Sequence, residues 1–157
     1  VILDTRKTTP TLRAFERHAV ACGGGTNHRF SLSDAFMAKD NHLAVLTGGG
    51  LDLTTALQRV KSQLPHGMVF EVEVDRIDQI EPVLAGGVDV IMLDNFSLDD
   101  LRAGVAQIAG RAKIEASGGV NLTTVAAIAA TGVDYISVGA LTHSARALDL
   151  GLDVRIS

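Results

Sequence analysis

Short apolar runs alternate along this chain with longer stretches whose apolar positions recur at helical spacing. The first pattern suits buried strands and the second suits amphipathic helices. Val1–Asp4 reads as a strand, followed by a helix over Thr11–Cys22 that starts at Pro10 with Thr8 or Thr9 as its cap. Pro is favoured in a first helical turn, where its missing N–H costs nothing. Leu12, Phe15, Ala19, Val20 and Cys22 form that helix's apolar stripe, and Gly23–Gly25 ends it. Further strands are predicted at Ala35–Lys39, Val69–Asp75, Val88–Asp94, Lys113–Ser117 and Tyr135–Val138. Helices are predicted at Asp52–Leu64, closed by Pro65, and at Ile77–Ala85, Leu98–Ala109 and Leu122–Thr131. Pro82 kinks the second of these by removing a backbone donor. A last short strand is expected within Leu148–Ile156. Strict alternation of strand and helix forces parallel strands joined by right-handed crossovers.

Polar residues inside the strands separate an open sheet from a barrel. Val69–Asp75 puts Glu71, Glu73 and Asp75 on one face and Val72 and Val74 on the other, and Lys113, Glu115 and Ser117 likewise share a face. An open α/β sheet is covered by helices on both sides, so its strands read as continuous apolar runs. Charges aimed inward are better housed in a barrel with a wet mouth. Asp4, Lys39, Glu73, Asp94, Ser117 and Gly139 all fall at or near the ends of successive predicted strands, where barrels build their sites.

With 157 residues, 46% of them apolar, the chain is expected to form one domain with a sizeable core. No apolar run approaches the roughly 20 residues needed to span a bilayer. The single cysteine, Cys22, excludes an internal disulfide framework and is expected to pack within its helix; a chain of this kind fits a reducing, cytoplasmic setting. A net charge of −4 and the lack of a basic stripe interleaved with aromatics argue against nucleic acid. The charge is unevenly spread, however. Residues 1–42 hold six Lys/Arg against four Asp/Glu, and residues 43–157 hold eight against fourteen.

That cationic surplus gathers in Asp4-Thr5-Arg6-Lys7-Thr8-Thr9-Pro10, Gly23-Gly24-Gly25-Thr26-Asn27-His28-Arg29 and Lys39-Asp40-Asn41-His42. Arg6 and Lys7 sit at a strand-to-helix turn, where parallel α/β folds put their chemistry. Cations gathered in a cleft imply an anionic ligand. Ser117-Gly118-Gly119 and Val138-Gly139-Ala140-Leu141-Thr142-His143 leave consecutive late strands. Loops at those places commonly cradle phosphate with backbone N–H groups.

Together with Glu71-Val72-Glu73-Val74-Asp75 and Leu93-Asp94-Asn95-Phe96, these segments resemble, in order and over essentially the whole chain, quinolinate phosphoribosyltransferase. The resemblance implies a TIM-like α/β barrel with parallel strands, here open or incomplete. It implies decarboxylating transfer in NAD biosynthesis: quinolinate and phosphoribosyl pyrophosphate, with Mg²⁺, give nicotinate mononucleotide, pyrophosphate and CO₂. By resemblance, Thr5, Arg6, His28, Arg29 and Lys39 surround quinolinate. Lys7, Glu73, Asp94, Ser117, Gly118, Gly119, Gly139, Ala140 and His143 hold phosphoribosyl pyrophosphate. Glu73 and Asp94 are the carboxylates near the ribose and Mg²⁺, and they and Lys39 are the catalytic candidates. His42 reads as structural, and Arg17 as a solvent-side residue.

The chain departs from the family pattern at Thr11, where Gly is usual, at Phe30-Ser31 and at Met37-Ala38. None of these removes a charge from the expected site. The family also has an amino-terminal domain, not represented here, that packs on a neighbouring subunit's barrel and lends it an arginine. The expected partners are therefore the two small substrates and either a second copy of the chain, in a dimer or larger homo-oligomer, or a separate amino-terminal domain. The isolated chain is expected to bind phosphate-bearing ligand and to turn quinolinate over poorly. Two alternatives stand beside this: a phosphoribosyltransferase for another pyridine acid, and a barrel fragment that binds anions without turnover.

Overall fold

The structure, a computed structural model, describes residues 1–155. Six parallel strands, β1 (Ile2–Leu3), β2 (Phe36–Ala38), β3 (Phe70–Val74), β4 (Val90–Asp94), β5 (Lys113–Ser117) and β6 (Tyr135–Ser137), lie in the order β1-β6-β5-β4-β3-β2. From β2 to β6, neighbours in sequence are neighbours in space, and β1 docks on β6. That is the circular strand order of a barrel opened at one seam, between β1 and β2. The helices are α1 (Arg13–Cys22), α2 (Asp40–Thr47), α3 (Leu53–Gln63), α4 (Ile80–Ala85), α5 (Leu98–Ile108), α6 (Val125–Ala129) and α7 (Ala140–His143). Among the described residues no helix is long and apolar enough to cross a membrane.

The alternation within the strands sorts the two faces. Phe70, Val72, Val74, Ile91, Leu93, Ile114, Ala116 and Ile136 join Leu57, Ile80, Val83, Leu101, Ile108 and Ile128 in one buried apolar cluster between sheet and helices. Each large side chain buried there contributes about 1.5–3 kcal/mol. The other face of the same strands carries Glu71, Glu73, Met92, Asp94, Glu115, Ser117 and Ser137. Glu71 and Glu115 are only 3% and 2% exposed, so the inward-facing carboxylates read from the sequence are inside. Asp75 and Lys113, at the two ends of that face, reach solvent, where they pair with Arg76 and Asp134.

Strand and helix ends differ from expectation by a few residues, and several differences have clear causes. Pro82 does not kink a long helix. The chain runs as a 3₁₀ turn over Ile77–Gln79 and begins α4 at Ile80, so Pro82 falls in a first turn, where its missing N–H is no loss. α3 is capped by Asp52, whose carboxylate accepts from the Thr55 N–H at 2.9 Å. α2 was not anticipated, because Lys39-Asp40-Asn41-His42 reads as chemistry; the His42 ring accepts from the Lys39 N–H at 3.0 Å and fixes its start. Residues 144–155 carry no regular secondary structure, so no closing strand is found there, and Ile156 lies outside the described residues.

The largest correction concerns α1. It begins at Arg13, after Thr11 turns through φ +69°, and neither Thr8 nor Thr9 caps it. Its buried residues are Arg17 and Val20, while Phe15 is 74% exposed and Cys22 faces solvent beside His18. The helix shows most of its apolar stripe outward because the surface it covers is polar. It lies over the seam, against Asp4 and the carbonyls of His28 and Arg29.

Candidate active site at the carboxy-terminal ends of the strands

A cavity of about 720 Å³ opens where the strands end, a volume suited to small-molecule ligands. Its lining includes every residue that the resemblance assigns to a substrate: Thr5, Arg6, Lys7, His28, Arg29, Lys39, Glu73, Asp94, Ser117, Gly118, Gly119, Gly139, Ala140 and His143; Asp4, also expected at a strand end, does not line it. The strand order spreads them around the mouth by type. Cations flank the seam from β1 to β2, carboxylates stand on β3 and β4, and the glycine turns follow β5 and β6. Met92, Val120 and Ser137 also line the cavity and were not anticipated, and Met37 and Asn95 line it beside them. Asn95 was legible in part, since it sits in the quoted Leu-Asp-Asn-Phe segment, and Met37 as a departure from the family pattern; Met92, Val120 and Ser137 carry no local signal.

On the cationic side, Arg6 donates through Nε to the Phe30 carbonyl at 3.3 Å. Arg29 donates through Nη1 to the Ala35 carbonyl at 2.9 Å and contacts Met37 Sδ at 3.4 Å through Nη2. Each guanidinium is thus anchored by part of its fork. Among the described residues Arg6, Lys7 and Arg29 have no carboxylate partner. Burial lowers the Arg29 pKa from its ordinary value, with Glu71 opposing and neighbouring Arg6 adding to the lowering. An anion placed between the two forks would offset both effects by its opposite charge.

Lys39, immediately after β2, forms an ion pair with Glu73 on β3, and Ser117 donates its hydroxyl to Asp94. The second Asp94 oxygen accepts from Asn95 Nδ2 at 2.8 Å. Asn95 adopts φ +57°, and its side chain packs where a Cβ on Gly118 would stand, 2.0 Å from such an atom. Gly118, itself at φ +88°, is therefore required by both contact and backbone. On the β6 side, Thr142 on α7 donates to the Lys7 carbonyl at 2.7 Å, which ties the turn after β6 to the turn after the adjacent β1.

Beneath the cations lies a buried cluster of His28, Glu71 and Glu115. The His28 Nε2 is 3.6 Å from Glu71 and 3.5 Å from Glu115, and Ser137 donates to Glu115. Burial opposes an imidazolium here, but the two carboxylates outweigh it and lift the His28 pKa to about 9. The Arg29 N–H points at His28 Nδ1 at 2.7 Å, which holds that nitrogen as an acceptor. The two observations meet if the cluster keeps one extra proton that resides on Glu71, whose own pKa burial raises. Glu71 Oε1 is buried and has no hydrogen-bond partner among the described residues. The three groups stand close enough together to surround an ion. They do not suit one, because an accepting Nδ1 leaves the proton on Nε2, the only nitrogen facing the carboxylates.

A family model for the quinolinate phosphoribosyl transferase C-terminal domain matches residues 1–153. The chain is 44% identical over 156 residues to the probable nicotinate-nucleotide pyrophosphorylase (carboxylating) of Bacillus subtilis, covering 99% of this chain and 53% of that protein. It is 46% identical over 156 residues to the nicotinate-nucleotide pyrophosphorylase (carboxylating) of Mycobacterium leprae, covering 98% and 53%. The crystal structure of NadC from Streptococcus pyogenes superposes with a TM-score of 0.86 at 47% identity, over 94% of this chain and 50% of that one. The chain therefore spans about half the length of these relatives. By family match and by fold, the chain belongs to the quinolinate phosphoribosyl transferase C-terminal domain family.

Proposed function

We propose that this chain carries the catalytic barrel of a decarboxylating phosphoribosyltransferase, in which quinolinate and phosphoribosyl pyrophosphate give nicotinate mononucleotide, pyrophosphate and CO₂. The observation that supports it is the grouping around one cavity of cations, three of them without a carboxylate partner among the described residues, with half-buried carboxylates and glycine turns. A planar diacid suits the forks of Arg6 and Arg29, with Lys39 beside them, since paired hydrogen bonds fix orientation as well as charge. His28 and Thr5 complete that wall. The turns at Ser117–Gly119 and Gly139–Ala140 offer backbone N–H groups to the 5′-phosphate, with Lys7 and His143 adding charge. Because the Ser117 hydroxyl is given to Asp94, its contribution to phosphate is through the main chain.

Departure of pyrophosphate leaves positive charge on the ribose ring, and Glu73 and Asp94 stabilise it electrostatically. Their oxygens, at the ends of adjacent strands, fit Mg²⁺, which takes few protein ligands when phosphates supply the rest. When bound, that ion supplies neutralisation of the leaving group. Holding the pyridine nitrogen in line with the anomeric carbon supplies much of the rest, as positioning can contribute about 7–11 kcal/mol. Once the ring nitrogen is cationic it stabilises the carbanion left by CO₂, and that carbon then takes up a proton from water to give nicotinate mononucleotide. Arg6 and Arg29 serve best on the carboxylate that stays, since gripping the departing one stabilises the ground state. Homo-oligomeric assembly and a cytoplasmic setting belong to the same proposal.

The test is to supply the same sugar donor and Mg²⁺ with quinolinate and with nicotinate side by side. Nicotinate mononucleotide and CO₂ from quinolinate alone is the expected result. Nucleotide from nicotinate without CO₂ would reassign the chain to another phosphoribosyltransferase, and binding of both substrates without turnover would leave a binding module.

A further inference from the structure

We propose that Asp4 and Arg17, neither of which lines the cavity, are positioning residues that set the shape of its cationic wall. The proposal rests on the reading of that wall given above. The seam between β1 and β2 is bridged by the chain at Thr26, which pairs with the free edge of β1: Thr26 N–H donates to the Ile2 carbonyl at 2.9 Å and Asp4 N–H to the Thr26 carbonyl at 3.1 Å. Beyond Thr26 the ladder stops. The next four residues include both His28 and Arg29, and side chains replace the missing backbone bonds.

Asp4, fully buried, accepts from Asn27 Nδ2 and from the His28 N–H, each at 2.7 Å. Arg17, 6% exposed, donates to the Arg29 carbonyl at 2.9 Å and to the His28 carbonyl, and its Nη1 lies 3.5 Å from Asp4. The Phe30 ring closes over the guanidinium at 5.3 Å, and the Phe30 carbonyl is the acceptor that anchors Arg6. One ion pair thereby fixes the main chain that carries His28 and Arg29 and the acceptor that aims Arg6. Two buried charges are costly to take from water, and an apolar pair of similar volume often does as well for stability. What an apolar pair cannot do is hydrogen-bond two successive carbonyls at once. A lysine cannot do so with the same fixed geometry, because its ammonium is a point charge without a planar fork. The pair is neutral as a unit, so it acts on the cavity through geometry and adds no net charge.

The test is Arg17→Lys, which keeps the charge and removes the fork. Quinolinate and phosphoribosyl pyrophosphate are titrated separately by calorimetry, and amide hydrogen exchange is followed along the chain. Quinolinate affinity is expected to fall at least tenfold while phosphoribosyl pyrophosphate affinity stays within about twofold. Exchange at residues 27–30 is expected to rise at least tenfold with β3 to β5 unchanged. Equal weakening of both ligands, or unaltered protection at 27–30, overturns the proposal. Should Arg17→Lys not fold, Asp4→Asn, which keeps an acceptor for the His28 N–H, is judged by the same criteria. If the unmodified protein binds no quinolinate, the functional reading fails, and the exchange result alone decides whether the pair fixes the wall.

Discussion

Lys39 and Glu73 form one ion pair, which in the proposed function joins two subsites. A dianion that uses Lys39 competes with Glu73, and a cation that uses Glu73 competes with Lys39, so whichever ligand arrives first releases the group the second one needs. Thermodynamic linkage makes that coupling reciprocal. Because the lysine is partly exposed, solvent screening holds the effect to about 2–5-fold. Mg²⁺ with pyrophosphate is therefore expected to tighten quinolinate binding by that factor, and Glu73→Gln to abolish the tightening; an unchanged factor in the variant would contradict the account. Replacing Asp94 by Asn is expected to lower turnover by roughly 10²-fold, with extra Mg²⁺ restoring only part. Full rescue by metal would remove Asp94 from the ribose region. Thr11 shows how far a residue can be read without coordinates. Its departure from the usual glycine was visible in the sequence, but the reason, a β-branched residue at φ +69°, was not. Thr11→Gly is expected to stabilise the fold by about 0.5–1 kcal/mol, since the relieved strain exceeds the entropy glycine adds; a lower melting temperature would refute this.

Among the elements, the strands were legible because their alternation reports two environments at once. Glu71, Glu73, Glu115 and Ser117 marked the inner face, and the valines and isoleucines between them marked the core. α1 was misread for the same kind of reason. An amphipathic stripe reports which residues are alike, and Arg17 is the residue that the polar seam requires inside. The inner face also carries a pH dependence. The His28 cluster binds one more proton in the folded state than in the unfolded chain between the ordinary histidine pKa of about 6.5 and the raised value of about 9. Stability from this source is fully present below pH 6.5 and is lost as pH rises through 9. Denaturant titrations are expected to show a fall on the order of 2–3 kcal/mol across that range, flattened in Glu115→Gln. A wild-type stability that rises with pH there would show that the extra proton is absent.

At the scale of the whole molecule, parallel topology followed from strict alternation, and the barrel followed from charges placed inside it. The seam did not, because Thr26–Phe30 lacks any strand pattern and is held by Asp4 and Arg17 instead of a ladder. Leu12 and Phe15 on α1, Leu141 on α7, and Leu148, Leu150, Leu152 and Val154 are exposed. Apolar surface of this kind favours association, so the 157-residue chain is expected to self-associate with concentration in sedimentation velocity. A monomer at all concentrations would contradict that. Adding the amino-terminal half of the Streptococcus pyogenes relative is expected to raise quinolinate turnover, if the covering domain and the arginine that the family resemblance implies belong to the proposed site. Equal activity without it would show that the site is complete within residues 1–157.

The measurement closest to the central claim is calorimetric titration of quinolinate and nicotinate into the protein and into two variants, Arg29→Lys in the cationic wall and Arg102→Lys on exposed α5. One quinolinate is expected to bind per chain, at least tenfold tighter than nicotinate, with the preference reduced at least tenfold by Arg29→Lys and untouched by Arg102→Lys. A lost charge-assisted fork costs about 1.5–3 kcal/mol, which is the scale of that change. Equal affinity for the two acids, or equal effects of the two substitutions, would show that the cations around the seam are not the site of the diacid.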